Sequence, residues 1–415
     1  MAHDDGRALL RWGAWFGDRD IELDLPPGWD VTTWPPVDGP DIGPDGIAAA
    51  FAAPIGTGRI RELAAGRRNA CIVVDDLSRP TPAARLLPPI LAELAEAGIA
   101  DEDVLILAGV GNHRQMMRQD FVAKVGEEVV RRYRTRSHFS WADCREVGTT
   151  SHGTRVSLNS AFVAADVKIL VGAIVPHTVA GYAGGAKLVL PGVASIRSAT
   201  DFHGPSRPAT GLAVIPPARR DAEEAARMVG VDCIVNAIPN SRREIAGLVV
   251  GDVVAAHRAG VELAKRVFAT PTPAGVDVCI LSAYPKDNEL LQYSLAFNVW
   301  ATAPKPIAHE GGTVVVASAA SEGWGFHSLA GEGMPLWPMA DPALAVAPRS
   351  LLFFAPGAAR GDLPPSPGGA ELITGWPEVV RRLEARHGPS ATVAVFPCAS
   401  MQLAEAVCGA GEAPG

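Results

Sequence analysis

Four side chains of this sequence, His113, His177, Lys187 and His203, have the types and spacing for proton transfer, nucleophilic attack and metal binding. A single histidine of this kind is equally well explained as a satisfied core or rim residue. Two imidazoles brought to neighbouring strand ends are a different matter, because both exchange protons near neutral pH and can act as an acid/base pair. Lys187 is followed by the apolar run Leu188, Val189, Leu190. A lysine held against apolar surroundings loses its charge and becomes a nucleophile; the alternative is a lysine that pairs with phosphate or solvent. Sixteen residues on, Asp201-Phe202-His203-Gly204 supplies an imidazole suited to nickel, zinc or copper. Gly181, Gly184 and Gly185 permit close approach of the backbone to a ligand such as a phosphate. The spacing is not that of a Walker A loop.

These residues need elements to position them, and the sequence supplies strands. Apolar runs at 69–74 (NACIVV), 103–108 (DVLILA) and 166–171 (DVKILV) alternate with helical patterns at 81–97 and 115–125. Continuous apolar strands separated by helices indicate a parallel sheet buried on both faces. Ligands of such sheets bind beyond the carboxyl ends of the strands. The strand exits here are Asp75-Asp76-Leu77-Ser78-Arg79, Gly111-Asn112-His113-Arg114 and Val175-Pro176-His177. A fourth exit, Ser282-Ala283-Tyr284-Pro285-Lys286-Asp287, follows the run at 276–281. Asp76 is also readable as a helix cap, with Arg79 as its surface partner.

The chain has 415 residues, a length for two or three domains. Residues 12–25 read as a hairpin with a turn at 17–20, and the Pro/Gly/Asp-rich stretch to about Pro44 as an irregular connection. Residues 220–268 read as helical at both ends around a short strand at 233–237. PTPAG at 271–275 reads as a linker, after which strands recur at 276–281, 312–317, 351–354 and 392–395. The expected architecture is α/β: two domains with mainly parallel sheets flanked by helices, residues 1–270 and 271–415, and an active site in the cleft that separates them. Residues 356–369 read as a surface loop and the tail after Val407 as frayed.

Hydrophobic residues make up 48% of the chain, enough for sizeable cores, and the net charge of −8 carries no long basic run. Nucleic-acid binding, which needs clustered Lys and Arg, is therefore not expected. Neither is a signal peptide or a membrane span. Six scattered cysteines form no C-x-x-C pair and suit a reducing cytosol.

Five segments together carry a resemblance: DDLSRP (75–80), GNHR (111–114), PHTVAGYAGGAKLVLPG (176–192), His203 and AYPKDNELLQ (283–292). Over residues 69–324 the chain resembles the nickel-pincer lactate racemase family. The resemblance implies a pyridinium-3-thioamide-5-thiocarboxylic acid mononucleotide carrying Ni(II). It implies that Lys187 is its covalent tether, with Gly184, Gly185 and Asp76 around it, and that His203 is the protein ligand to nickel. His113 and His177 become the alternating bases on opposite faces of the substrate, Arg79 the partner of its carboxylate and Gln292 a substrate contact. The implied reaction is racemisation or epimerisation of a 2-hydroxy acid by hydride transfer to and from the cofactor through a planar 2-keto acid. The implied partners are the substrate and the proteins that mature the cofactor.

One position departs from the family pattern. Leu295 stands where the resemblance implies a substrate-binding lysine, and no Lys or Arg occurs between Lys286 and Lys305. Leu291, Leu295, Phe297 and Trp300 suit a substrate bulkier or less polar than lactate, or else they simply line an interface. Three other functional readings stand beside the racemase. They are an oxidoreductase that releases the keto acid, a non-catalytic cofactor-binding protein, and a metallohydrolase with His113, His177 and His203 as ligands. His327, just past a strand end, reads equally as a site residue or a structural one.

Overall fold

The computed structural model describes residues 2–4, 6–203, 215–337, 340–359, 361–363 and 366–409. The chain divides into two compact units. One comprises residues 39–264 and 327–335; the other comprises residues 1–38, 265–326 and 336–415. Both are α/β, with parallel-rich sheets flanked by helices.

The first unit is built on six strands in the spatial order Ile245–Gly251, Cys233–Pro239, Val167–Ala173, Ala70–Val74, Val104–Ala108, Arg134–Ser137. All pairings are parallel except the outermost, Cys233–Pro239 with Ile245–Gly251. Every residue of Ala70–Val74, Val104–Ala108 and Val167–Ala173 is buried, as their unbroken apolar runs require. The helix Ala83–Glu96 packs Leu86, Leu87, Ile90 and Leu94 into the same core as Ile72, Ile106 and Ile169. From Ala70–Val74 the chain winds outward through 104–108 and 134–137, then returns to pair Val167–Ala173 on the opposite side. The order therefore reverses at the junction of 70–74 and 167–173. Such a reversal separates the connections leaving two adjacent strands and opens a crevice at their carboxyl ends.

The second unit holds seven strands, with Val276–Ser282 and Ala308–Ala317 at the centre and Ser350–Phe354, Thr392–Phe396 and Asp30–Thr33 alongside. Asp30–Thr33 pairs in parallel with Thr392–Phe396, which places the N-terminal 38 residues in this unit. The sequence reading placed them in a domain spanning 1–270. A pairing of residues more than 350 apart leaves no local signal, and the intervening stretch reads only as irregular.

The N-terminal hairpin is present but shifted. Its strands are Arg7–Trp12 and Arg19–Asp24, and residues 13–18 form the turn. Gly13 and Trp15 both have positive φ there (71° and 70°), and the Gly13 and Ala14 amides donate to Asp287 at 2.8 and 3.1 Å. Trp12 is buried as expected, whereas Trp15 is partly exposed. All six cysteines are free thiols. No helix among the described residues is long and apolar enough to cross a membrane. Residues 410–415 of the tail lie outside the described residues.

Ile72 is fully buried at the centre of the six-stranded sheet. Ile72→Ala is expected to cost about 2–5 kcal/mol from lost burial and the cavity left behind. Urea unfolding followed by tryptophan fluorescence checks this, and an unchanged midpoint contradicts the placement.

Candidate active site

Three strand exits of the first unit meet around the reversal point. Asp75 and Asp76 follow Val74 directly and are both buried. The two carboxylates have separate tasks. Asp75 pairs with Lys124 Nζ at 2.6 Å and accepts from Thr81 Oγ1 at 2.5 Å. Lys124 itself is fully buried on the helix Arg118–Val125 and also donates to the backbone carbonyls of Asp76 (2.9 Å) and Arg79 (3.0 Å). Burial pushes its pKa down while Asp75 opposes the shift. Lys124 thereby ties residues 75–79 to the helix behind them.

Asp76 turns the other way. It accepts from His113 Nδ1 at 2.7 Å and, through its other oxygen, from the Ser78 hydroxyl at 2.5 Å and the Ser78 amide at 3.0 Å. Burial alone would raise its pKa. The charges of His113 and Arg79 and the Ser78 bond outweigh it and hold the carboxyl well below the usual range. An ionised carboxylate on Nδ1 places the neutral imidazole's proton there and its lone pair on Nε2, the arrangement of a general base. Arg79 Nη1 donates to the Ser78 carbonyl (3.0 Å) and hydroxyl (2.9 Å), so one serine positions both the arginine and the histidine.

Residues 176–187 form the facing wall. Pro176–His177 and Gly181–Tyr182 pair as a short antiparallel ribbon, which carries His177 back over Lys187. His177 Nδ1 accepts from the amides of Val179 (3.2 Å) and Ala180 (3.4 Å), and Nε2 lies 2.8 Å from Lys187 Nζ. With Nδ1 accepting, the neutral ring carries its proton on Nε2. The Lys187 side chain thus ends against an imidazole, with its nitrogen at the loop's inner face.

The glycines of this loop are explained by packing. A Cβ on Gly184 (φ +74°) would meet Asn236 Oδ1 at 2.7 Å, and one on Gly185 (φ +54°) would meet His257 at 2.9 Å. The Gly185 amide donates to Asn236 Oδ1 at 2.6 Å, and the buried Arg219 donates to the Gly184 and Tyr182 carbonyls. The sequence reading expected Gly184 and Gly185 to admit a ligand; in the structure they admit Asn236 and His257. Asn236 Nδ2 remains a buried donor without a hydrogen-bond partner among the described residues.

His203 caps the helix Ile196–Phe202, and its Nδ1 lies 2.8 Å from the Ala199 carbonyl. The carbonyl can only accept, so Nδ1 carries the proton and Nε2 the lone pair needed for a metal. His327 joins this group. Its backbone bridges that of His113, and its ring lies 5.5 Å from the His113 ring and 6.3 Å from the His203 ring, centroid to centroid. Burial, reinforced by His113 and His203, pushes its pKa down to about 2 and keeps the ring neutral.

Among the described residues no three His, Cys, Asp or Glu side chains converge as a metal cage. The metallohydrolase reading required His113, His177 and His203 to do so; instead Asp76, Lys187 and the Ala199 carbonyl hold them separately. Gln292 and Leu295 lie on the 3-10 helix Leu290–Phe297 of the other unit, where Leu295 is buried and Gln292 partly exposed. Ser78 and Lys124 escaped the sequence reading. Asp76 was read as a cofactor neighbour and alternatively as a cap; its pairing with His113, 37 residues away, leaves no local signal.

Comparison with known proteins identifies the family. Residues 16–210 match the family model described as lactate racemase N-terminal domain. Lactate racemase from Thermoanaerobacterium thermosaccharolyticum is 30% identical over 302 residues, covering 71% of this chain and 68% of that protein. The lactate racemase of Lactiplantibacillus plantarum is 29% identical over 289 residues, 67% of each. The structure of the lactate racemase apoprotein from Thermoanaerobacterium thermosaccharolyticum superposes with a TM-score of 0.72 at 23% identity, over 96% of this chain and 99% of that one. The fold and the sequence matches define an isomerase, specifically a racemase. The chain belongs to the lactate racemase family.

Lys124→Ala is expected to strand Asp75 as a buried, unpaired carboxylate and to cost about 3–5 kcal/mol. A thermal melt checks this, and an unchanged melting temperature means that Lys124 does not hold the 75–79 exit.

Proposed function

We propose that this chain racemises a 2-hydroxy acid with a nickel-pincer nucleotide tethered to Lys187. The observation that carries the reading is the division of labour among the imidazoles. His113 is backed by a carboxylate, His177 is paired with an amine, and His203 is turned by a backbone carbonyl to present one nitrogen.

The residues present fit the cofactor. A pincer that supplies most of the metal's ligands needs a single protein donor, and the Nε2 lone pair of His203 is one. A covalent tether needs an amine with a base to take its proton, and Lys187 Nζ lies 2.8 Å from His177 Nε2. The orphaned donor of Asn236 beside the loop suits a group rich in acceptor oxygens. When bound, the cofactor supplies a carbon that accepts and returns a hydride.

The chain's own residues do the rest. Arg79, steadied by Ser78, offers a planar fork to the substrate carboxylate. For one enantiomer, Nε2 of His113 takes the hydroxyl proton as the Cα–H bond breaks, and Asp76 stabilises the imidazolium that results. For the other enantiomer the hydroxyl lies on the opposite side, and His177 has the same task once its proton shifts from Nε2 to Nδ1 and the ring releases the Val179 and Ala180 amides. Two bases are needed because the planar 2-keto acid is entered and left from either face. The relatives are named for lactate. Leu295, where the resemblance implies a substrate-binding lysine, favours a substrate with a larger apolar side chain.

The test is protein co-produced with a pincer-cofactor biosynthetic system that demonstrably loads a known racemase. The expected result is an added mass on the Lys187 peptide, about one nickel per chain as a single site requires, and racemisation of enantiopure 2-hydroxy acids. No adduct and no nickel contradict the reading, and accumulation of 2-keto acid identifies an oxidoreductase instead. Asp76→Asn is expected to lower kcat by about 10²–10⁴, the range of general-base catalysis, with nickel and adduct retained; unchanged kcat removes Asp76 from the mechanism.

A further inference from the structure

His327 is the one imidazole of the group to which the mechanism gives no task. It is also the one furthest in sequence, since it returns to the first unit on the segment 327–335. The segment is pinned. His327 forms a backbone bridge with His113, the Ser328 amide donates to the Asn112 carbonyl at 2.8 Å, and the Ser328 hydroxyl reaches Asn112 Oδ1 at 3.3 Å. The strand exit that presents the base therefore also presents His327, and the two move together.

The hydrogen bonds define what the ring offers. The Leu329 amide donates to His327 Nδ1 at 3.3 Å. An acceptor Nδ1 puts the proton of the neutral ring on Nε2, so His327 presents an N–H donor. His113 and His203 have the opposite tautomer, with Nδ1 donating and Nε2 carrying the lone pair. The ring of His327 stands 5.5 Å from one and 6.3 Å from the other. A donor flanked by a base and a metal-binding nitrogen is placed to hold an oxygen that approaches both.

Resting on the reading above, we propose that His327 is a substrate-binding residue whose Nε2–H donates to an oxygen of the 2-hydroxy acid, beside the base His113 and the metal-binding His203. An Nε2–H donor complements the base without competing for the hydroxyl proton. It stabilises the alkoxide-like and carbonyl oxygens that alternate during racemisation.

The test compares cofactor-loaded wild type, His327→Ala and His327→Gln. Steady-state racemisation gives KM and kcat, calorimetry with oxalate as an unreactive dicarboxylate gives Kd, and nickel content and intact mass report loading. In His327→Ala, KM and the oxalate Kd are expected to rise about tenfold or more, the scale of one lost hydrogen bond to a charged group, with nickel and adduct at wild-type levels. His327→Gln, whose amide N–H reaches the place of Nε2–H, is expected to recover most of the loss. If His327→Ala does not fold, His327→Phe keeps a ring there while removing the donor. Unchanged KM and Kd overturn the proposal, as does loss of nickel or adduct, which would make His327 a ligand or a structural group. Wild type that loads and binds oxalate but racemises nothing refutes the function above and not the binding role of His327.

Discussion

The parallel pairing of Ala70–Val74 with Val167–Ala173 is the constraint on which the rest of this site depends. Val74 sits opposite Val171, so the two strands end almost level. Because the chain reverses its winding there, no connection crosses the gap, and two unrelated loops emerge side by side. One brings Asp75, Asp76, Ser78 and Arg79; the other brings His177 and Lys187. The next strand, Val104–Ala108, adds His113, which hydrogen-bonds to Asp76 at the end of its neighbour. A shift of the sheet register by one residue would exchange the faces of these strands and separate the groups.

Such a site concentrates buried polarity, which is costly unless each group is paired. The pairing is complete enough to be directional. Asp75 takes Lys124 and Thr81, Asp76 takes His113 and Ser78, and the two carboxylates do not share a donor. Lys124 is thus a positioning residue that acts through the backbone of Asp76 and Arg79. Arg219 serves the facing loop likewise, because its guanidinium is spent on the Gly184 and Tyr182 carbonyls. Each wall of the site is held from behind by a buried cation. The imidazoles then differ in partner and in tautomer, set by a carboxylate, backbone amides or a backbone carbonyl.

Much of this was legible in the sequence, and the boundary of legibility is physical. Continuous apolar runs announced the buried strands, and reading the residue after each run located Asp76, His113 and His177. Contacts distant along the chain were not legible. The partnership of Asp76 with His113 spans 37 residues and that of Asp30–Thr33 with Thr392–Phe396 more than 350. Lys124 sits in a helix whose other charged residues are ordinary surface groups, and only its burial distinguishes it. The antiparallel strand Ile245–Gly251 is as apolar as its neighbours but was not separated from the helices around it, because periodicity cannot divide so short a run from a buried helix. The glycines show the converse error. The close approach they permit was legible, but what approaches them depends on Asn236 and His257, some 50 and 70 residues away.

The central claim is that the histidines move only the hydroxyl proton while the Cα hydrogen leaves and returns as a hydride. Racemisation of an enantiopure 2-hydroxy acid by the loaded protein in deuterium oxide, with Cα followed by proton NMR, tests it most directly. The account predicts that the opposite enantiomer appears with its original Cα hydrogen, since a hydrogen that leaves as hydride would not exchange with solvent. Deuterium at Cα in step with racemisation would contradict it, and would show His113 and His177 to be bases that act on carbon.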